Sequence, residues 1–358
     1  GASRITSNQK LFDVLSEANK FYQHNLRTDK NAIAYLKSRG ISGEIAAAFE
    51  IGYAPVGFDN IKSAMQEKFS PDDLVNVGLL SKKSPTSVYD RFRNRIMFPI
   101  KDTRGRVIAF GGRSIDDSMP KYINSPETEL FHKGNTLYGF YEARKAVGRL
   151  KQLIIVEGYM DVVALAQYGV KNSIATLGTA TTSQNIRNLL RFCPNLVFCF
   201  DGDRAGYAAA WKALEQILPE YKDGIEIRFA FMPQGEDPDS VIRCSGENVL
   251  QQYIQNASPL SEFLFSKLGK EIDISTTEGK DKLANTARPL LNKLPKIVFR
   301  DLMFKELNER IGTRIINPAP AVSDTGVRPE RSTTNKRALK YTKTRLAVAL
   351  ILREPGLT

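Results

Sequence analysis

Asp201-Gly202-Asp203 places two carboxylates two residues apart, directly after the apolar run Leu196-Val-Phe-Cys-Phe200. Glu157 follows Leu153-Ile-Ile-Val156 in the same manner, with Asp161 shortly after it. A third acidic loop, Glu236-Asp237-Pro238-Asp239, comes after the strand-like Ile225 to Met232. Carboxylate oxygens in this number suit a hard cation. Magnesium takes oxygen ligands in near-octahedral geometry and keeps several waters, so a few carboxylates plus substrate phosphates suffice. Two such ions would activate an attacking hydroxyl and stabilise a leaving pyrophosphate. Any single aspartate in a turn is more simply a helix cap or an Asx-turn. Three acidic loops after three strand-like runs are harder to explain that way.

Short apolar runs that each lead into a turn and a helical stretch read as buried parallel strands. Strands are expected at 153–157, 173–177, 196–200 and 225–232, and helices at 161–168, 182–192 and 204–217. That alternation implies right-handed βαβ crossovers and a parallel sheet. The carboxylates would then lie at the carboxyl ends of the strands, where open α/β sheets build their sites. Thr176-Leu-Gly-Thr179-Ala180 is a tight loop whose amides could serve an anion, with Thr181, Thr182 or Ser183 capping the next helix.

Residues 81–136 differ in character, with nearly twice as many basic as acidic residues. Arg91-Phe-Arg93-Asn-Arg95-Ile-Met-Phe-Pro-Ile100 alternates like a strand, 101–105 reads as a turn, and Arg106 to Phe110 returns as the second arm of a hairpin. Arg91, Arg93, Arg113, Lys121 and Lys133 offer phosphate contacts, and Phe92 and Tyr122 offer rings for base faces. A solvated hairpin surface is the alternative. Ser125 and Pro126 read as the cap and first residue of a short helix ending at Lys133-Gly134, whose start could also cradle a phosphate.

The formal charge of +12 and pI near 9.5 favour a polyanionic partner. Cys193, Cys199 and Cys244 lack Cys-x-x-Cys spacing, and the histidines are His24 and His132, so neither a zinc site nor a disulfide framework is expected. The cysteines read as small buried hydrophobes. No apolar run is long enough to span a bilayer, and a cytoplasmic protein is expected.

The rest reads as helix. Leu11, Val14, Leu15 and Ala18 recur at helical spacing, as do Ala32, Ile33, Tyr35 and Leu36, and short helices are expected at 58–69 and 71–77. Amphipathic stretches at 249–254, 259–268, 277–291 and 296–311 suggest a bundle against the sheet. The expected fold is α/β: a central parallel sheet flanked by helices, preceded by a mixed α+β basic subdomain and followed by a helical bundle. The expected divisions are 1–136, 137–240 and 241–312, then a Pro-containing linker at 313–340 and the start of a truncated domain at 341–358.

The motifs Glu157-Gly-Tyr-Met-Asp161, Thr176-Leu-Gly-Thr179, Asp201-Gly-Asp-Arg-Ala-Gly206 and Asp237-Pro-Asp239 resemble the toprim core, shared by bacterial primases, topoisomerases and some nucleases. Arg91 to Ile100, Gly111-Gly-Arg113, Lys121-Tyr-Ile-Asn-Ser-Pro-Glu-Thr128 and Phe131-His-Lys-Gly134 narrow this. They resemble the basic half of the bacterial replicative primase catalytic domain, and the likeness covers about residues 8–312. It implies a DNA-dependent RNA polymerase that makes short RNA primers on single-stranded DNA from ribonucleoside triphosphates, leaving an RNA–DNA hybrid. By resemblance Glu157, Asp201 and Asp203 are the central catalytic and metal residues, with Asp161, Asp237 and Asp239 supporting them. Arg91, Arg93, Arg113, Lys121, Tyr122, Asn124 and Lys133 line the groove for template, hybrid or nucleotide.

The implied cofactor is Mg²⁺, with Mn²⁺ as substitute. The family's N-terminal zinc ribbon has no counterpart here, so no zinc is expected. The helix at 341–353 resembles the opening of the family's helicase-binding domain, through which the replicative helicase would dock. The chain thus reads as a monomeric polymerase core cut from a longer protein. Two alternatives stand beside this: a toprim topoisomerase or nuclease, and a non-catalytic single-strand-binding module.

Overall fold

The computed structural model describes residues 2–312 apart from 85, 86, 117, 179, 180 and 271, so the expected linker and the helix at 341–353 lie outside the described residues. The chain opens with helices α1 (Ala2–Thr28), α2 (Lys30–Ser38) and α3 (Gly43–Ala48). Leu11, Val14, Leu15 and Ala18, the stripe legible in the sequence, are all buried. Asp29 caps α2 by accepting from Ala32 N at 2.8 Å, and Ser42 caps α3 by accepting from Ile45 N at 3.2 Å.

Strand β1 (Gly52–Ala54), helices α4 (Asn60–Met65) and α5 (Pro71–Asn76), and a small hairpin, β2 (Leu80–Ser84) with β3 (Ser87–Asp90), lead to the antiparallel sheet. Its strands are β4 (Arg95–Lys101), β5 (Val107–Ser114) and β6 (Tyr122–Asn124), and β1 completes the order β1-β4-β5-β6. The expected hairpin is therefore present, but its first arm starts at Arg95 rather than Arg91. Asn94 has φ +49, a left-handed turn that ends any extended run from the residues before it.

The expected helix after Ser125 does not form. Ser125 is fully buried; its hydroxyl accepts from Phe110 N at 3.1 Å, and its own N–H donates to the Phe110 carbonyl. Both groups that would cap a helix are spent extending the sheet edge, so no helix start cradles a phosphate there. Only a single 3₁₀ turn, Lys133–Asn135, follows.

Helix α6 (Phe140–Val147) connects to the parallel region: β7 (Leu153–Val156), α7 (Tyr159–Gln167), β8 (Ser173–Ala175), α8 (Ser183–Leu189), β9 (Asn195–Phe200), α9 (Arg204–Ile217) and β10 (Glu226–Phe231). Thr182 caps α8, accepting from Asn185 N at 3.1 Å. Helices α10 (Pro238–Ser245) and α11 (Glu247–Gln255), strand β11 (Ser258–Pro259), and helices α12 (Leu260–Gly269), α13 (Thr277–Leu291) and α14 (Val298–Ile311) complete the described chain. The sheet order is β11-β10-β9-β7-β8, all parallel except β11, which runs antiparallel to β10. Cys193 and Cys199 are buried as expected, but Cys244, late in α10, is exposed.

The two sheets share one core. Ile96 and Phe98 of β4 belong to the same buried cluster as Ile154 and Val156 of β7 and Val197 of β9. Tyr159, the first residue of α7, ties them: its ring stacks on Phe98 with centroids 5.3 Å apart. The same ring lies over Gly111, where a Cβ would sit 2.5 Å from it, so β5 needs glycine at this point of approach. The acidic edge and the basic sheet are therefore held in one rigid frame.

Candidate active site

Glu157 comes directly after β7 and Asp201 directly after β9, and β7 and β9 are hydrogen-bonded neighbours in parallel. Burial and the Asp203 charge raise the Glu157 carboxyl above its ordinary range. Burial, then the charges of Glu157, Asp237 and Asp203, push Asp201 up to about 7. Asp161 is held well above the usual range by burial and by Asp237, Asp201 and Asp239. These mutual effects bring all six carboxylates into one electrostatic neighbourhood.

Three of the acids also fix the loops that carry them. Asp161 accepts from Gly158 N at 2.9 Å, Asp203 from Gly206 N at 2.7 Å, and Asp237 from Ser240 N at 2.6 Å. Asp203 and Asp237 thus cap α9 and α10 by taking a first-turn amide, while Asp161, in the first turn of α7, reaches back to the amide before that helix. Gly202 lets the β9 and β10 loops meet: its N–H donates to the Glu236 carbonyl, and a Cβ there would lie 2.1 Å from the Pro233 carbonyl oxygen. Asp239 differs. It is buried, accepts from Arg243 Nε at 2.8 Å and faces Arg39 at 4.0 Å.

The basic side is more committed than the sequence suggests. The Arg91 guanidinium donates twice to the Asn124 carbonyl, at 3.1 and 3.0 Å. Arg113 is buried, donates to the Tyr122 hydroxyl at 2.6 Å, and lies over the Tyr35 and Tyr122 rings. The Asn124 side chain joins the two sheets: its Oδ1 accepts from the Tyr159 hydroxyl at 2.5 Å, and its Nδ2 donates to the Leu177 carbonyl at 3.0 Å. Arg93 donates to the Asp90 carbonyl at 2.6 Å and rests over the exposed Phe58 ring. Lys121 is exposed, and Lys133 is partly exposed on its 3₁₀ turn. Tyr122 adjoins the acids: burial pushes its hydroxyl up to about 12, Arg113 opposes this and Asp161 adds to it.

Sequence reasoning missed several positioning residues. Arg95 is buried and donates to the carbonyls of Pro120 and Lys121, fixing the loop before Tyr122. Asp90 is buried and accepts from Ile61 N and Lys62 N at the start of α4. Both are charged residues that read as surface in a one-dimensional pattern; their burial depends on partners far along the chain. Tyr159 lay inside a recognised motif, yet only the three-dimensional contact with Asn124 gives it a task.

The donor set fits a hard divalent ion. It consists of carboxylate oxygens alone, partly exposed and surrounded by like charge, which a cation would relieve. Among the described residues no group of three or more His, Cys, Asp or Glu side chains is placed to hold a metal ion by itself. The cluster is thus an open one, of the sort that waters and substrate phosphates complete.

Comparison with known proteins agrees with this geometry. The DNA primase catalytic core, N-terminal domain, matches residues 21–144; a toprim-like domain matches 154–242; and the DnaB-helicase binding domain of primase matches 261–314. The last match falls on α12 to α14. A DNA primase of Pseudomonas aeruginosa is 50% identical over 315 residues, covering 86% of this chain and 47% of the relative. The crystal structure of a DNA primase domain from that organism is 49% identical, with a TM-score of 0.81, covering 84% of this chain and 96% of that one. A DnaG primase catalytic domain bound to single-stranded DNA is 44% identical, also with a TM-score of 0.81, covering 87% and 98%. The chain spans about half the length of the Pseudomonas relatives it matches. With its toprim-type parallel sheet and basic antiparallel sheet, it belongs to the bacterial DNA primase family, of which it spans the catalytic core.

Proposed function

We propose that this chain is the polymerase core of a primase, joining ribonucleotides into short RNA primers on a single-stranded DNA template. The observation that carries the reading is the pair Glu157 and Asp201, at the ends of adjacent parallel strands, each raised by burial and by neighbouring carboxylates. No observation favours strand cleavage, and the relatives are primases.

Glu157, Asp201 and Asp203 would hold the divalent ion, Mg²⁺ with Mn²⁺ as substitute. When bound, it supplies charge neutralisation at the triphosphate and polarises the attacking hydroxyl. Asp161 and Asp237 pin the starts of α7 and α10, which keeps the acidic loops in register. Asp239, paired with Arg243, supports the same edge from beneath. Arg93, Lys121 and Lys133 would take phosphates of template or nucleotide. Arg91, Arg113, Tyr122 and Asn124 would form the wall against which the strand lies, with the Tyr122 ring available to a base.

The relative bound to single-stranded DNA supports a DNA template, and the helicase-binding match supports a replicative helicase as partner. No helix among the described residues is long and apolar enough to cross a membrane. We place the protein in the cytoplasm at the replication fork, with the core acting as a monomer on ribonucleoside triphosphates and the growing RNA–DNA hybrid. Incubation with single-stranded template, ribonucleotides and Mg²⁺ or Mn²⁺ tests this. Oligoribonucleotide products are expected; their absence, even with a primase zinc-ribbon domain supplied, would contradict it.

A further inference from the structure

The parallel sheet has two flanks, and the function just proposed uses one of them. The basic sheet docks at the β7–β8 side, through the Asn124 side chain to the Leu177 carbonyl. The acids stand at the ends of β7 and β9. Beyond them, at the end of β10, lies an aromatic step. Tyr207, in the first turns of α9, is 39% exposed, and its ring stacks flat on Phe231, the last residue of β10. The centroids are 4.1 Å apart and the planes 9° from parallel. Behind Phe231 stands Phe263, and behind that Phe229, so the step rests on a column of rings. Lys270, exposed at the end of α12, holds its ammonium over the Tyr207 ring, 5.7 Å from its centre, on a flexible stem that an arriving base would swing aside toward the flanking phosphate. Arg204, also exposed, precedes Tyr207 by three residues and so shares its helix face.

We propose that Tyr207, backed by Phe231 and flanked by Lys270 and Arg204, is a stacking step for a single strand of nucleic acid that has crossed the acidic edge. An exposed ring held flat by a second ring has little rotamer freedom left to lose, and every base offers it a π-face. The two cations suit the phosphates on either side of a stacked base. The placement is continuous with the candidate site, because Asp203 caps the same helix α9 whose first turns carry Arg204 and Tyr207. From β8 to β10 is three strand spacings, about 14 Å, a span one strand of nucleic acid can cross. A strand would thus enter over Lys121 and Tyr122, pass the carboxylates, and leave over Tyr207. The inference rests on the primer-synthesis reading.

The test measures anisotropy of fluorescein-labelled DNA on the whole chain with Mg²⁺ over a salt series. One probe is a long single strand, and a second is the same strand carrying a short RNA primer that covers the outgoing half. Tyr207→Ala should weaken the bare strand by about fivefold or more, the cost of one lost stacked base. Tyr207→Phe should match wild type, and Lys270→Ala should shallow the salt dependence by about 0.7. A larger loss on the primed probe than on the bare strand would assign the step to the hybrid and overturn the single-strand proposal. Wild-type affinity in both Tyr207→Ala and Lys270→Ala, in a chain that still makes primers, would overturn the step alone. A wild-type chain that makes no primers would instead sink the reading beneath it.

Discussion

The two sheets use charge in opposite ways. In the antiparallel sheet the charged groups are mostly spent. Arg91, Arg95 and Arg113 donate to carbonyls and a hydroxyl within the fold, and Asn124 is held at both ends of its amide. At the end of the parallel sheet Asp161, Asp203, Asp237 and Asp239 have amide or arginine partners, but Glu157 and Asp201 are left unspent. Burial and the Asp203 charge raise Glu157, and burial with the charges of Glu157, Asp237 and Asp203 raises Asp201. Glu157 is exposed and Asp201 half-buried, so this like charge gathers at an open edge, which folds retain where a ligand or a reaction uses it. The basic sheet is a wall that shapes a groove, whereas the acidic edge is where chemistry is stored.

The largest effect should come from the acidic side. Asp201→Ala should lower primer synthesis by about 10³-fold, since a metal-holding group supplies several kcal/mol to the transition state. Template affinity should stay within a factor of about two, because the groove wall is untouched. Gel assay and anisotropy on one preparation separate the two; parallel loss of both would mean the regions are not distinct.

Next comes a frame contact. Lys101 is buried between Glu50 and Glu142, at 3.0 Å from each. Burial alone would lower its pKa, but the two glutamates outweigh this and hold it above the ordinary lysine value. Its contribution to stability is therefore complete below the normal lysine range and fades as pH climbs through the raised folded value. Lys101→Ala should cost about 3 kcal/mol at neutral pH, as for a buried pair missing one partner. Denaturant midpoints of wild type should fall faster at alkaline pH than those of Lys101→Met. Equal slopes would remove Lys101 from the account.

Smaller still is the seam between the sheets. Asn124→Ala leaves the buried Tyr159 hydroxyl and the Leu177 carbonyl without partners and should cost about 2 kcal/mol. Activity should fall more than that loss of folded protein explains, because the same residue sets the groove wall against the acids. Smallest is Lys133→Ala, which should reduce the salt slope of template binding by about 0.7 and leave stability unchanged. An unaltered slope would place Lys133 outside the groove.

These contrasts also explain what a sequence can tell. Glu157 and Asp201 were legible because each follows an apolar strand, and strand ends are where α/β folds expose their groups. Helix α10 was not. Asp237-Pro-Asp239 read as an acidic loop, although Asp237 is a cap with Pro238 in the first turn. Ser125-Pro126 carried the same signature and formed no helix, because Phe110, fifteen residues earlier, claims both the hydroxyl and the amide of Ser125. Local capping signals cannot reveal a competing partner across a sheet. The basic block was legible as a region but not residue by residue, since which arginines turn inward depends on carbonyls such as those of Pro120 and Asn124.

The central claim is that the unspent charge at the parallel sheet's edge exists to hold a divalent cation. Titration of Mn²⁺ into the whole chain, followed by electron paramagnetic resonance without triphosphate, tests it most directly. Wild type should bind Mn²⁺, while Glu157→Gln and Asp201→Asn should lose that binding and keep template affinity. Undiminished Mn²⁺ binding by both variants would contradict the account.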